Sequence, residues 1–519
     1  MAKEQWGSKL GVILAVAGSA IGLGNFLRFP VQAVNNGGGA FMIPYFAALI
    51  LLGIPLMWIE WTIGRFGGGF GHSTAPGMFH TLWNKNRFIK YFGVIGIFGP
   101  VIIFIYYIYV ESWLLGYSVF ALVGKYNGCT TVETMKAFLE QYQGLKTGDY
   151  FGGLSTAYVY FLLTFAMNIW IIYRGVNKGI EVVCMYALPV LFILAGFLTI
   201  RVLTLGAPNP ANPENNVVNG LGFLWNPDWS KLGESKTWLA AAGQIFFTLS
   251  VGFGIILTYA SYLKKEDDVA LSGLTAAVTN EVAEVIFGGS IVIPAAFAFF
   301  GAAQMLAVAN GGSYNLGFVT MPLVLQQLPF GNFFGFAWFF LLFLAGITSS
   351  ISMAQPAVAF LEDEFSISKP KASMIFAVVT FLLTQPCIFW IGRGVIDEID
   401  FWGGTVCLVI FAFIETILFG WVFGMDKAWS ELHVGSDITI PRVYRFIIKY
   451  VTPLFLLFIL VSWFWSDLPA KLRMDGIAKP DKPYIQTTRV MLVGLFVILA
   501  YLVWRAWKHK PKGGTSNAS

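Results

Sequence analysis

Two glycine pairs interrupt long apolar stretches of the chain. The first pair is Gly22 and Gly24, and the second is Gly252 and Gly254. Glycine costs about 1 kcal/mol relative to alanine inside a helix, so each pair can let a helix unwind. Unwound backbone exposes carbonyls and amides, which lipid tolerates only where they line a cavity. The alternative is that these glycines only permit close packing between helices.

Side chains with neutral oxygen atoms lie beside these glycines or in other apolar stretches. They are Asn25, Thr248, Ser250, Asn280, Thr348 and Ser349. Carbonyl, amide and hydroxyl oxygens are suitable ligands for a hard cation. A buried Ser or Thr more often bonds to the carbonyl four residues before it, so the two asparagines carry most of the weight.

Charged residues also occur inside apolar stretches or at their ends. They are Arg28, Glu60, Glu111, Glu281, Glu284, Asp400 and Glu415. A charge near the bilayer centre costs roughly 3 kcal/mol, so these side chains should face the protein interior and find partners there. Arg28 lies about one helical turn beyond the first glycine pair, and we predict that it pairs with Asp400. A purely structural or snorkelling role is the alternative.

These residues belong to a chain of 519 residues that is 57% hydrophobic and 12% charged. Soluble proteins carry about 25% charged residues, so this chain has too few to cover a surface in contact with water. The apolar residues form runs of roughly 20, each long enough to cross a hydrocarbon core of about 30 Å as a helix. We therefore predict an all-α integral membrane protein, a single bundle over residues 1–519, with no nucleic-acid partner.

The hydropathy pattern predicts twelve spans. They are 10–35, 40–66, 89–122, 153–173, 179–204, 237–262, 271–300, 334–362, 372–391, 399–423, 444–466 and 487–507. An even number places both termini on one side, and the larger share of Lys and Arg on that side predicts that it is the cytoplasm. The expected location is the plasma (inner) membrane. The uncharged loop 301–333 is expected to pack onto the bundle as a partial lid.

The glycine pairs fall in the first and sixth predicted spans. Broken helices at corresponding positions of two five-span halves indicate an inverted-repeat transporter with a site near the bilayer midplane. A proton-coupled transporter, a channel or sensor, and a membrane enzyme are the alternatives. Asn, Ser and Thr are poor proton carriers, which favours sodium over protons. The histidines form no paired metal-binding motif, which argues against an enzyme.

Several long motifs, in this order along the chain, resemble the neurotransmitter:sodium symporter family, in particular its prokaryotic prototype. They are GSAIGLGNFLRFP (18–30), NNGGGAF (35–41), PLMWIEWTIG (55–64), YYIYVESW (106–113), GQIFFTLSVGFGIILTYASY (243–262), and the segments 280–289 and 345–364. The resemblance covers about residues 4–505. It implies twelve transmembrane helices: two inverted five-helix repeats, within 10–204 and 237–423, and two further helices within 444–507, with helices 1 and 6 broken.

The resemblance also implies a site for an amino acid at the two breaks. The substrate carboxylate would meet the amides of Leu23 and Gly24 and the hydroxyl of Tyr107. Such amides carry the positive end of a half-helix dipole. The amino group would meet the carbonyls of Ala20, Phe247 and Thr248 and the hydroxyl of Ser250. The substrate side chain would contact Ile103, Tyr107, Phe247, Ser250, Phe253, Ser349 and Met353.

Two sodium ions are implied as well. The first would be held by Ala20, Asn25, Thr248, Asn280 and the substrate carboxylate itself. The second would be held by Gly18, Ile21, Ala345, Thr348 and Ser349. Because the carboxylate completes the first ion site, the ion and the substrate would each stabilise the binding of the other.

Gates on both sides of the site follow from the same resemblance. Arg28 and Asp400, with Tyr107 and Phe247 beneath them, would close the outer side. Lys3 and Asp363 would close the inner side, near Trp6, Ser261 and Tyr262. The family usually has Arg where Lys3 stands, and Lys cannot form a bidentate pair with a carboxylate, so a weaker inner gate is expected.

Glu284 lies where chloride-dependent members carry a small neutral residue, so its carboxylate would replace the anion. Met353 lies where the prototype has a branched aliphatic residue, which suggests a tolerant apolar pocket. The resemblance thus implies chloride-independent, sodium-coupled symport of small hydrophobic L-amino acids by alternating access. The protein is expected to be a monomer or homodimer, and not an enzyme.

Overall fold

The computed structural model describes residues 4–509 of the protein, which are mostly helical and form no strand. Within that range, nine helices are long and apolar enough to cross a membrane, and a bent pair of shorter helices makes a tenth. The nine are Gly39–Gly69, Ile89–Leu122, Ser155–Leu203, Val269–Asn310, Gly331–Phe365, Lys369–Phe389, Val395–Leu432, Val443–Ser466 and Lys479–Lys508. Shorter helices include Ala75–Leu82, Val132–Tyr142, Val217–Trp225 and Ser313–Leu325.

The number of long helices differs from the twelve predicted spans for two reasons. Ser155–Leu203 has 49 residues, more than twice the ~20 needed to cross a bilayer, and it includes two predicted spans. Gly175 lies between those two, with φ of +85°. A further predicted span is divided into two helices that are each too short to cross. The number of twelve and the two repeats stay predictions.

The N-terminal broken helix consists of Lys9–Ala20 and Gly24–Asn35, two apolar helices bent by 44° relative to each other. The Ser8 hydroxyl caps its start by accepting a hydrogen bond from the Gly11 amide at 2.9 Å. Ile21 ends the first half in an extended conformation, with φ −72° and ψ 94°. The chain becomes helical again only after this residue, which leaves the backbone groups of the break unpaired within the helix.

The central broken helix consists of Ser235–Thr248 and Ile255–Ala260. Between the halves, three residues have positive φ: Ser250 (54°), Gly252 (77°) and Gly254 (74°). A Cβ on Gly254 would lie 2.5 Å from a backbone oxygen of a neighbouring helix. Glycine is therefore needed there both for its backbone conformation and for its small size.

Two nearly buried helices, Ile89–Leu122 and Gly331–Phe365, pack along each other at the centre of the bundle. Lys9–Ala20 and Ile255–Ala260 both pack against Gly331–Phe365. Both breaks therefore lie next to the best-packed part of the molecule, where exposed backbone groups can be held by protein rather than by lipid.

The segment 301–333 packs onto the bundle. The helix Val269–Asn310 extends into it, past the predicted end of that span, and bends at Gly301, which has φ +71° and ψ 171°. The helix Ser313–Leu325 follows and buries Leu316 and Phe318.

The helices Val443–Ser466 and Lys479–Lys508 lie at the periphery, with most of their surface uncovered by protein. Their exposed side chains are apolar and include Phe458, Val461 and Val493. Such a surface is stable against lipid rather than water. Together with the long apolar helices, it identifies a multi-pass membrane protein.

Candidate substrate and ion site

The two helix breaks meet around a small cavity of about 30 Å³. The central helices Ile89–Leu122 and Gly331–Phe365 complete its walls. Every residue predicted to contact a substrate lines it: Ala20, Leu23, Gly24, Ile103, Tyr107, Phe247, Thr248, Ser250, Phe253, Ser349 and Met353. The structure thus brings these residues together from four separate segments of the chain.

One wall of the cavity presents backbone amides. The Leu23 amide donates to the Tyr107 hydroxyl at 3.2 Å. A Cβ on Gly24 would lie 2.7 Å from the Phe247 ring, so glycine at this position lets the ring lie against the break. Amides at the start of a helix favour an anion, and this wall is therefore suited to a carboxylate.

The central break is fixed by two hydrogen bonds. The Ser250 hydroxyl donates to the Ser19 carbonyl at 3.0 Å and so joins the two breaks. The Gly252 amide donates to the buried Glu60 carboxylate at 2.5 Å. The sequence identified Glu60 as a buried charge that needs a partner, but it gave no sign that the partner would be unwound backbone.

The first oxygen cluster surrounds Asn25 and Asn280, which are both fully buried. The Asn25 amide group accepts from the Gly22 amide at 2.8 Å and donates to Asn280 at 2.8 Å. The Asn280 amide group lies 3.0 Å from the Thr248 hydroxyl. It also lies 3.3 Å from the carbonyl oxygens of Ala20 and Thr248. The four residues predicted to hold the first sodium ion are therefore neighbours.

The second oxygen cluster surrounds the Ser349 hydroxyl. Four carbonyl oxygens lie close to this hydroxyl: those of Gly18 (3.3 Å), Ser19 (3.2 Å), Ile21 (3.4 Å) and Ala345 (3.1 Å). The Thr348 hydroxyl lies 3.2 Å from the Ala345 carbonyl. One hydroxyl proton can satisfy only one of these carbonyls. The remaining oxygens form the kind of neutral, oxygen-rich set that a hard cation prefers.

Two carboxylates lie behind the first cluster. Glu284, which is fully buried, accepts from the Gln244 amide at 2.8 Å and from the Thr248 hydroxyl. Glu281 accepts from the Tyr45 hydroxyl at 2.7 Å. Gln244 lies in the family-like motif 243–262, yet its role was not predicted from the sequence.

Arg28 and Asp400 line a second cavity of about 330 Å³ that adjoins the first. No ion pair joins these two described residues in this conformation, and their pairing in a closed form stays a prediction. The Arg28 guanidinium lies 4.4 Å from the centre of the Phe247 ring, and Asp400 accepts from the Tyr106 hydroxyl at 2.5 Å. Each charge thus has an aromatic partner of its own beside the cavity that both residues line.

The opposite side of the site is densely packed. The Trp6 indole donates to the Tyr259 carbonyl at 2.9 Å, and its ring meets the Tyr259 ring edge-on at 5.2 Å. Tyr262, 6.5 Å from Trp6 between ring centres, accepts from the Gln355 amide at 2.8 Å. Ser261 instead donates to a carbonyl of its own helix at 2.7 Å.

Asp363 and Glu364 lie on the same side and contact the segment after Gly39–Gly69. Asp363 accepts from the Ser73 amide at 2.9 Å, and Glu364 lies 3.2 Å from His72 Nδ1. Lys3, the predicted partner of Asp363, lies outside the described residues. The ion pair between them, and its weakness relative to an Arg pair, stay predictions.

A buried network that the sequence did not predict lies behind the second oxygen cluster. Asn168 donates to Glu111 at 3.0 Å and accepts from the Ser350 hydroxyl at 2.6 Å. All three side chains are fully buried. The sequence identified Glu111 as an intramembrane charge, and the amide of Asn168 in an apolar stretch was the signal that could have completed the network.

A multi-pass membrane protein with a polar site between two broken helices belongs to the class of secondary transporters. The model of the sodium:neurotransmitter symporter family matches residues 3–144 and 131–509, and the chain belongs to this family. The family resemblance seen in the sequence is confirmed.

Several relatives and one solved structure are similar over most of the chain. An uncharacterised sodium-dependent transporter of Methanocaldococcus jannaschii is 33% identical over 472 residues, which cover 88% of this chain and 89% of that protein. The sodium- and chloride-dependent glycine transporter 2 of Xenopus laevis is 24% identical, over 90% of this chain and 65% of that protein. The crystal structure of MhsT in complex with L-phenylalanine matches with a TM-score of 0.76 and 30% identity, covering 89% of this chain and 100% of that one.

Proposed function

We propose that the protein takes up small hydrophobic L-amino acids by sodium-coupled symport with alternating access. The observation that carries the proposal is the position of one short stretch of backbone. Residues 18–25, which are the N-terminal break and the two helix ends beside it, contribute to the cavity and to both oxygen clusters. Binding at any one of these sites would order the same backbone and so raise the affinity of the other two. Such a mutual increase in affinity is what couples the ions to the substrate.

The substrate would bind by its charged ends. Its carboxylate would lie against the amides of Leu23 and Gly24 and the hydroxyl of Tyr107, at the positive end of a half-helix. Its amino group would face the carbonyls across the cavity and the Ser250 hydroxyl. The carboxylate would then also lie beside Asn25, within reach of the first ion.

The composition of the cavity walls favours a substrate with an apolar side chain. Among the described residues that line the cavity none is charged, so a charged substrate side chain would be buried without a partner. Met353 has a flexible thioether that can adapt to side chains of different shape. MhsT, which is similar in fold and sequence, has been crystallised with L-phenylalanine, and this supports a hydrophobic amino acid here.

Two sodium ions would travel with the substrate, one in each oxygen cluster. The first would be held by Ala20, Asn25, Thr248 and Asn280, with the substrate carboxylate as a further ligand. The second would be held by Gly18, Ile21, Ala345, Thr348 and Ser349. The names of the relatives support sodium as the coupling ion.

Both termini would lie in the cytoplasm and the larger cavity would open outward across the plasma (inner) membrane. The dense packing around Trp6 would then close the cytoplasmic side. This arrangement corresponds to an outward-facing state, ready to receive substrate.

Transport would not need chloride. The buried Glu284 carboxylate lies beside Gln244 and Thr248, and there it would supply the negative charge that a bound anion would otherwise bring. In this respect the chain would differ from the Xenopus glycine transporter, a relative that is described as chloride-dependent.

Binding of labelled amino acids to the purified protein tests the function. We expect saturable binding of Leu, Met and Ala in sodium chloride, loss of binding in choline chloride, and no binding of Lys. Asn25→Ala should abolish binding, because it removes two hydrogen bonds that hold the break and a predicted ion ligand. Asn127→Ala, which changes an exposed loop contact with Asn332, is the matched control. Binding without sodium, or full binding by Asn25→Ala, would contradict the proposal.

Uptake into proteoliposomes tests the anion. Replacing chloride by gluconate at constant sodium should leave uptake unchanged. In Glu284→Ser, which leaves space and removes the charge, uptake should become chloride-dependent. Collapse of wild-type uptake in gluconate would refute chloride independence without affecting the sodium assignment.

A further inference from the structure

A cavity of about 650 Å³ lies away from the substrate site, where the helix Val395–Leu432 ends and Val443–Ser466 begins. Its charged lining residues are Asp426, Lys427, Arg445 and Lys449. The proposed transport mechanism uses none of them. Three cations around one carboxylate leave the cavity with a positive potential.

Aromatic rings flank one of these cations. Lys449 Nζ lies 5.6 Å from the centre of the Trp421 ring and 5.4 Å from that of Tyr450. The Trp421 indole donates to the Lys449 carbonyl at 2.8 Å. Trp421 and Tyr450 are 53% and 37% exposed. Trp and Tyr that expose an apolar body with a polar tip are typical of the membrane–water interface.

The lengths of the helices place the cavity at that interface. Within Val395–Leu432, the backbone breaks at Gly424, which has φ +93°, and Met425–Leu432 follows as a separate short helix. The roughly 30 residues before the break span about 45 Å at 1.5 Å per residue. A hydrocarbon core is only ~30 Å thick, so the last turns before Gly424 and the short helix after it lie beyond the core. The cavity is built from those turns and from the start of the next spanning helix, within reach of lipid headgroups.

The cations are only partly neutralised by protein. Arg445 pairs with Asp426. No carboxylate of the described residues forms an ion pair with Lys427 or Lys449, although Lys449 keeps its two aromatic neighbours. An anion with several oxygen acceptors would complement both lysines and the exposed edge of the Arg445 guanidinium.

We propose that this cavity binds the phosphate-bearing headgroup of an anionic bilayer lipid. The phosphodiester would lie among Lys427, Arg445 and Lys449, with the Trp421 and Tyr450 rings beside the glycerol backbone. A lipid fits better than free phosphate because the exposed faces of Trp421, Phe446 and Tyr450 continue the cavity onto the lipid-facing surface.

A lipid at this place would stabilise a junction of three segments. Arg65 donates to the carbonyls of Asp267 (2.6 Å) and Val434 (2.8 Å) and to the Glu431 carboxylate at 3.1 Å. Glu431 lies in the same short helix as Asp426 and Lys427, Met425–Leu432. Binding would therefore hold this helix against the inner end of Gly39–Gly69 and against the loop after the central broken helix.

Lipid titration of the purified full-length protein tests the proposal. Phosphatidylglycerol, phosphatidylcholine and sodium phosphate are each added to the protein in neutral detergent, and the bound lipid is counted by native mass spectrometry while Tm is followed. We expect binding and a rise in Tm with phosphatidylglycerol only. In the double variant K427Q/K449Q, phosphatidylglycerol should bind about 30-fold more weakly. The double variant K479Q/K482Q, which removes the same charge from the start of the helix Lys479–Lys508, should bind as the wild type does.

Equal affinity for phosphatidylglycerol and phosphatidylcholine would overturn the proposal, and so would unchanged phosphatidylglycerol binding in K427Q/K449Q. An equal rise in Tm with sodium phosphate alone would also overturn it, because it would identify a site for a free anion. If the double variant does not fold, Lys427→Gln replaces a single exposed side chain and should weaken binding about fivefold. Phosphatidylglycerol binding by the wild type should also fall as salt is raised. Salt-independent binding would contradict the role of the lysines.

Discussion

The two sides of the substrate cavity are closed to very different degrees. On one side, Arg28 and Asp400 line a cavity of about 330 Å³ and form no ion pair with each other. On the other, the Trp6 ring packs edge-on against Tyr259 and Tyr262 and donates a hydrogen bond to the Tyr259 carbonyl. The cavity can therefore be reached from the first side and is blocked on the second.

This difference in packing indicates how much free energy is needed to close the open side and to open the packed side. If Arg28 and Asp400 pair when the open side closes, as predicted, the hydrogen bond from Tyr106 to Asp400 is exchanged for an ion pair, a difference of about 1–2 kcal/mol. Opening the packed side exposes aromatic surface. A fully buried ring of 150–250 Å² would require roughly 4–6 kcal/mol for this, and the partly buried Trp6 ring requires less. Changes at Trp6 should thus have large effects, and changes at the vestibule smaller ones.

Removing the Trp6 ring should have the largest effect. Trp6→Ala removes the edge-on contacts and the indole donor, a change that commonly costs 3–5 kcal/mol. We expect the packed side to open and uptake to fall at least ~10-fold. The measurement is uptake in proteoliposomes, together with maleimide labelling of Ser352→Cys, a buried position beneath the aromatic cluster.

Trp6→Phe is the control, because it keeps a ring and loses only the indole donor. It should retain most of the uptake, and Ser352→Cys should stay protected. Protein without the added cysteine gives the background labelling from the native thiols. If Trp6→Ala leaves Ser352→Cys as protected as in the wild type, the ring does not close this side.

The residues around the cavity could be predicted from the sequence because their types are unusual for their surroundings. Glycine pairs and neutral oxygen atoms stand out in apolar spans, and the motifs that carry them resemble a known family. The side chain of Gln244 and that of Asn168 were not predicted, because their partners, Glu284 and Glu111, lie in other helices. No local pattern encodes which distant groups meet in a bundle.

The predicted Arg28–Asp400 pair shows a different limit of prediction from sequence. Residue types can indicate that two charges are able to pair, but not which conformation the chain adopts. In this conformation the two residues form no ion pair, and Asp400 accepts a hydrogen bond from Tyr106 instead. No sequence pattern indicated that Tyr106 would be its partner. The number of long helices differs from the number of predicted spans for a related reason. Whether two spans form one long helix, as in Ser155–Leu203, or one span is broken in two depends on the backbone conformation of single residues, which hydropathy does not indicate.

A change at the open side should have an intermediate effect. Asp400→Asn can still accept from Tyr106 but offers no charge to Arg28, so the closed form of this side loses about 1.4 kcal/mol or more. We expect uptake to fall about tenfold, while equilibrium binding of the substrate changes less. Asp397→Asn is the matched control, since Asp397 lines the same cavity. Equal loss in both variants would show that the general charge of the vestibule matters, and not the pair.

The smallest effect is expected at Tyr106, and it should have the opposite sign. Tyr106→Phe removes the hydroxyl that holds Asp400 on its own side of the cavity. The carboxylate then lacks its present donor, and Arg28 is the cation that lines the same cavity. The variant should therefore favour the closed form of this side. Labelling of Ser313→Cys, a position in the vestibule lining, should decrease about twofold.

Tyr314→Phe is the control for this variant, because Tyr314 lines the same cavity and Asp400 takes its hydrogen bond from Tyr106 instead. It should leave the labelling of Ser313→Cys unchanged. The sign of the effect separates two explanations of the open vestibule. If Tyr106→Phe increases labelling, the tyrosine acts by filling space and its loss widens the cavity. If labelling decreases, the hydrogen bond to Asp400 is what keeps the two charges apart.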